Sequence, residues 1–142
     1  MNNATSSTSI ITRQQVADDQ RVNITADLFG AYFPLRLEPF IFSITSQLSE
    51  DYSGGYWQFY TLGNGGFYMA PDSDGRFQVI CENGYEGFMS ADALGISACL
   101  YAFSHLSFGD GDFAETCARQ YHLLREFMFE HSEAAEILRA ID

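Results

Sequence analysis

The side chains here that have the means to do chemistry are three histidines, three cysteines and nineteen carboxylates. Their spacing limits what each set can do. His105, His122 and His131 lie far apart with no H-x-x-x-H pair, and a zinc site needs three or four convergent ligands, so no metal site is expected. His105 falls on what reads as a core helix and is expected to be hydrogen-bonded there. Asp72-Ser73-Asp74-Gly75 opens like a calcium loop, yet its twelfth position, where glutamate is required, is Asn83; the stretch reads as a polar turn. Cys81, Cys99 and Cys117 are odd in number with no C-x-x-C, which suits buried thiols in a reducing compartment. A cysteine nucleophile needs a base and a lowered pKa, and apolar helix faces supply neither. Gly63-x-Gly65 lies between two strands, so no helix start is there to cradle phosphate. No G-x-S-x-G, Walker A or dinucleotide motif occurs. No residue is assigned to catalysis, metal or cofactor.

Charge says more. The formal net charge is −12, and all seven basic residues are arginines. Such a chain repels phosphate backbones, so direct DNA binding is disfavoured; a basic protein surface, such as a DNA-binding groove, is complementary. Glu126, Glu130, Glu133 and Glu136 recur every three or four residues. That row could imitate duplex phosphates. It also reads as a solvated helix face, because each like-charge i,i+4 neighbour costs only about 0.2–0.5 kcal/mol.

The elements that must position these groups are organised around Gly54 to Pro71, GGYWQFYTLGNGGFYMAP. Alternation puts Trp57, Phe59 and Thr61 on one face of a strand and Tyr56, Gln58, Tyr60 and Leu62 on the other. Gly63-Asn64-Gly65-Gly66 turns the chain, Phe67–Ala70 returns, and Pro71 ends the ladder. Aromatics on both faces require cover on both, which helices before and after can give. The composition predicts an α+β fold: a small antiparallel meander of three to four strands among four or five helices. A flexible tail, 1–14, precedes a single domain, 15–142. Helices are expected from Asp18 or Asp19 to Phe29 and over 38–50, with a turn at Pro34–Pro39. Strands are expected over Arg76–Glu82 and Tyr85–Met89, joined by a two-residue Asn83-Gly84 turn. Ser90 caps a helix, Ala91–Leu106, that is apolar on all sides and therefore buried, with Gly95 permitting close approach. Asp112 and Ser132 read as caps of the last two helices. No signal peptide or membrane span is read in the sequence.

The string Tyr52 to Leu62, then Asn64-Gly65-Gly66-Phe67-Tyr68-Met69-Ala70-Pro71, closely resembles the signature of the antirestriction proteins of the ArdB and KlcA type. Leu28-Phe29-Gly30 before it and Ser90-Ala91-Asp92-Ala93 after it fit as well. The resemblance covers roughly residues 20–108. It implies a cytoplasmic protein that protects incoming DNA from type I restriction, with no enzymatic activity and no cofactor. The implied partner is the type I restriction complex or an associated host factor, and a monomer is expected. Gly54, Gly55, Trp57, Phe59, Tyr60, Gly66, Phe67, Tyr68 and Pro71 are expected to be structural. Partner contacts are expected at the exposed tip, Asn64 and Gly65, at Asp72 and Asp74, and at Glu126, Glu130 and Glu133. Two other readings stand beside this one. A DNA mimic would bind the DNA groove of a restriction enzyme directly. A hydrolase would need a pocket where a Cys or His meets a carboxylate.

Overall fold

The computed structural model describes residues 10–142, and its first sheet is built on the aromatic ribbon. β1 (Arg13–Gln15), β2 (Trp57–Leu62) and β3 (Phe67–Pro71) pair antiparallel in that order. Trp57 lies opposite Pro71, and Tyr60 opposite Tyr68. Around this sheet lie α1 (Arg21–Phe29), α2 (Glu38–Leu48), α3 (Ala91–Leu106), α4 (Gly111–Met128) and α5 (Ala134–Ile141).

Both faces of the hairpin are covered, as its sequence requires; β3 is buried at all five positions. On one face, Phe59 and Phe67 pack edge-on at 5.7 Å and join Phe29, Phe33 and Phe103 in one aromatic cluster. On the other, Tyr60 stacks on Tyr68 at 4.9 Å, and Tyr68 meets Phe127 of α4. Trp57 is wedged against Phe42 and donates its indole N–H to the Tyr52 hydroxyl at 2.9 Å. Burying each such side chain stabilises the fold by about 1.5–3 kcal/mol.

α3 is the buried helix expected. Ser90 caps it by accepting from the Ala93 N–H at 3.1 Å. It lies against β3 so closely that a Cβ on Gly95 would collide with Ala70 and sit 2.5 Å from the Met69 carbonyl oxygen. The Cys99 thiol points at that same carbonyl, 3.6 Å away.

That contact explains how the strands divide. β4 (Arg76–Ile80) and β5 (Glu86–Ser90) form a second, two-stranded sheet and do not extend the first into a single meander. α3 occupies the edge of β3 that another strand would pair with, and Pro71 has no N–H to offer a ladder. The α+β class with five antiparallel strands and five helices stands among the described residues.

Other expectations shift in detail. The tail boundary moves: Arg13 and Gln14 belong to β1, pairing with Leu62 and Thr61, because the outer edge of β2 needs partners. Of the rest of the expected tail, residues 10–12 are described, with the Thr12 carbonyl accepting from the Gly63 N–H at 2.8 Å, and residues 1–9 lie outside the described residues. The turn expected at Pro34–Pro39 is helical: Phe33–Leu37 forms a π-helical turn that runs into α2. Each proline sits in the first two positions of its segment, where a missing N–H is harmless. The β4–β5 connection runs over residues 81–85; the Cys81 N–H donates to the Tyr85 carbonyl at 2.9 Å, so that Glu82, Asn83 and Gly84 make the turn. The Gly84 N–H donates to Cys81, and Gly84 takes the positive φ (+99°) that such a loop demands of its last residue. The caps expected of Asp18 or Asp19, Asp112 and Ser132 are not made; Gln20, Asp110 and Glu133 precede those helices without a side-chain bond.

Gly95→Ala tests the α3–β3 contact. Alanine gains about 1 kcal/mol of helix propensity, but the collision costs about 1–3 kcal/mol or more. A net loss of stability in urea unfolding is expected; a variant more stable than wild type would show that the helix has room to move.

Candidate functional site

Titratable side chains from four parts of the fold meet in one cleft, lined by β1, β2, the end of β3, the start of α3 and the α4–α5 corner. Asp92, in the first turn of α3, is the hub. Its Oδ1 accepts from the Tyr68 hydroxyl and from the Arg13 guanidinium, both at 2.8 Å. Arg13 also donates to the Tyr68 hydroxyl. Asp92 Oδ2 lies 2.8 Å from Nε2 of His131. Nδ1 of that ring accepts from the Glu133 backbone N–H at 2.9 Å, which places the ring proton on Nε2, donating to Asp92. Glu133 in turn accepts from the Ser90 N–H at 2.9 Å and from the Ser90 hydroxyl, with Arg76 3.8 Å away.

Burial alone would push the Asp92 carboxyl up. The hydrogen bonds from His131 and Tyr68 and the Arg13 charge outweigh it and hold the carboxyl below its ordinary value. Burial, reinforced by the neighbouring Asp92 carboxylate, pushes the Tyr68 hydroxyl far up, so it stays a donor. The network is therefore a charged clamp with its groups satisfied by one another. It ties the N-terminal strand, the hairpin, the capped end of α3 and the C-terminal helices together.

A His–carboxylate pair is what a hydrolase would need, and His131–Asp92 is one. Its chemistry is closed off here: both ring nitrogens are engaged, and the Ser90 hydroxyl donates to Glu133 while capping α3. The three cysteines are buried and unpaired. Burial pushes Cys99 up to about 12 and Cys117 up to about 11, so neither is a thiolate at neutral pH. His105 is not hydrogen-bonded in the core; it faces outward against Phe40, with ring centroids 5.1 Å apart. Among the described residues, no group of three or more His, Cys, Asp or Glu is arranged to hold a metal.

The residues expected to contact a partner fall into separate places. The hairpin tip is not a free loop. The Asn64 amide donates to the Leu123 carbonyl at 3.0 Å and to Glu126 at 3.4 Å, and the Gly65 carbonyl accepts from Gln120 at 3.2 Å. The tip is docked on α4 because its polar groups would otherwise be stranded beside an apolar surface. Glu130 accepts from the Ile11 N–H at 3.2 Å, and Glu133 is drawn into the clamp. The acidic row thus splits between solvent and internal bonds. Asp72 lies at the rim of the cleft, bonded to Gln58 at 3.3 Å, and Asp74 is exposed nearby in sequence. Of the signature residues, Trp57, Phe59, Gly66, Phe67, Tyr68 and Pro71 are buried, Tyr60 is half-buried, and Gly54 and Gly55 lead into β2 at the surface. Arg13, Asp92 and His131 were not singled out as a set by the sequence. Asp92 looks like an ordinary first-turn acid, and its partners lie 79 and 39 residues away.

A family model described as Antirestriction protein matches residues 50–142. Two proteins of Escherichia coli, each called antirestriction protein KlcA, are similar along nearly the whole chain. One is 41% identical over 135 residues, covering 93% of this chain and 95% of its own. The other is 44% identical over 140 residues, covering 94% and 95%. A solved structure from work on the KlcA and ArdB proteins superimposes with a TM-score of 0.87 over 100% of both chains at 41% identity. Those proteins are described as having a novel fold, and antirestriction activity against type I DNA restriction systems in vivo but not in vitro.

The clamp has a pH signature. With its folded-state value depressed, Asp92 contributes stability above the unfolded-state value of about 3.9, and that contribution is lost as pH falls through the lower folded value. Asp92→Asn is expected to cost about 2 kcal/mol at pH 7, with a smaller gap from wild type at pH 3. Urea unfolding at both pH values measures it; an equal gap at both would mean the carboxylate charge is not what the clamp uses.

Proposed function

The chain belongs to the antirestriction protein family, and from that premise we propose that it protects incoming plasmid or mobile-element DNA by inhibiting type I restriction in the bacterial cytoplasm. It acts by binding and not by catalysis, on the restriction complex or on a host factor that works with it. The observation that carries this reading is the full-length superposition on the KlcA and ArdB fold at 41% identity. The closed-off chemistry of the cleft, with both nitrogens of His131 engaged, supports a non-catalytic role. Activity of those relatives in vivo but not in vitro favours the host-factor arm, since a purified restriction enzyme lacks that factor. The protein is proposed to work as a monomer without contacting DNA itself. No helix among the described residues is long and apolar enough to cross a membrane.

A net charge of −12 favours one second reading, a DNA mimic in the groove of the restriction enzyme. The splitting of the glutamate row between solvent and internal bonds weakens it. Mimicry requires salt-sensitive binding to the purified enzyme, and no binding at low salt would remove it.

Expression of the chain in a host carrying a type I restriction system is expected to raise the plating efficiency of unmodified phage. The same phage on a host without the system should be unaffected. No rescue against any type I system would overturn the proposal.

A further inference from the structure

The α3–α4 loop and the π-helical turn bring together apolar side chains that the fold does not bury. Phe108 is 86% exposed, Leu35 73% and Tyr32 50%. Two of them, Tyr32 and Phe108, converge on Phe113. Tyr32 stacks on Phe113 at 4.7 Å, and Phe108, Phe113 and Arg36 line a shared groove. Leu35 precedes Arg36, a groove residue, on the same π-helical turn. A loop that needed only to connect two helices would not hold a phenylalanine in water, and contiguous exposed apolar groups mark interaction surfaces. The π-helical turn points the same way, since such turns recur at functional sites.

Charge selects the occupant. Asp110, Asp112 and Glu115, all exposed, flank Phe108 and Phe113 in the first two turns of α4 and the loop before it. Arg36 is the one arginine lining the groove, beside His105. A second copy of a chain with net charge −12 would bring a like field to this face. We infer that Tyr32, Leu35, Phe108 and Phe113 form a docking surface for a cationic amphipathic segment of a protein partner, its apolar side chains in the groove and its Lys or Arg residues on the acidic rim. This inference deepens the reading of the chain as an interaction protein and rests on it.

The test uses a fluorescent synthetic helix with leucines on one face and lysines on the other, and a scrambled peptide of the same composition. Binding by anisotropy is expected for the first, with amide shifts confined to residues 32–36 and 105–115. The double variant Leu35→Ser/Phe108→Ser is expected to weaken it about tenfold or more. Phe88→Ser, at an exposed phenylalanine on β5, is expected to leave it unchanged. All substituted side chains are exposed, so circular dichroism should match wild type. Equal binding of the scrambled peptide, shifts centred elsewhere, or equal loss in Phe88→Ser would overturn the inference. So would sedimentation showing a dimer that Leu35→Ser/Phe108→Ser dissolves, because the surface would then hold a second copy. No restriction system is involved, so failure here and failure of phage protection are separate results.

Discussion

The close approach of α3 to β3 is the constraint on which the rest of the fold depends. Five consecutive buried residues in a strand can exist only with cover on both faces. The helix gives that cover and also lies along the strand edge, near enough that only glycine fits at position 95. Several features then follow together. The second hairpin must form its own sheet, β2 must find a partner on its other side, and the N-terminal segment supplies β1. The polar residues at the start of α3 are brought beside Tyr68, where they would be stranded without one another.

Much of this was legible in residues 54–106. Trp57, Phe59, Phe67 and the paired glycines specify a hairpin by period and turn chemistry, and Ser90 to Leu106 specifies a capped, all-apolar helix. These are local signals, each confined to a few residues. What was not legible is long-range. Nothing near Arg13 announces a strand, because β1 has three exposed residues and takes its structure from the edge of β2. Pro34 and Pro39 read as a turn because proline interrupts helices, yet at a helix start it is tolerated. Asn64 and Gly65 read as an exposed tip because loops usually are, and only tertiary packing shows α4 beneath them. His131 and Asp92 are joined by chain geometry alone.

The same geometry separates structure from function. The aromatic core of the signature that resembles the antirestriction family, Trp57, Phe59, Phe67 and Tyr68, is interior: it specifies the scaffold, and a partner cannot reach Phe67 or Tyr68 without unfolding it. The acidic side chains are likewise divided. Glu133 and Asp92 hold the molecule together, whereas Asp74, Asp110 and Asp112 face water. Part of the net charge of −12 is therefore carried by carboxylates that also hold the fold together. What remains for contact is the outer layer, to which the family signature contributes residues 53–56 and Gly65.

Native-state hydrogen exchange tests the central claim most directly, since amides in the most stable unit exchange only through global unfolding. The amides of β3 and the middle of α3 are expected to exchange slowest, together and at the rate set by global stability, with β4–β5 and α5 opening earlier. If β3 exchanged ahead of β4–β5, or independently of α3, the helix-clamped ribbon would not be what holds the fold.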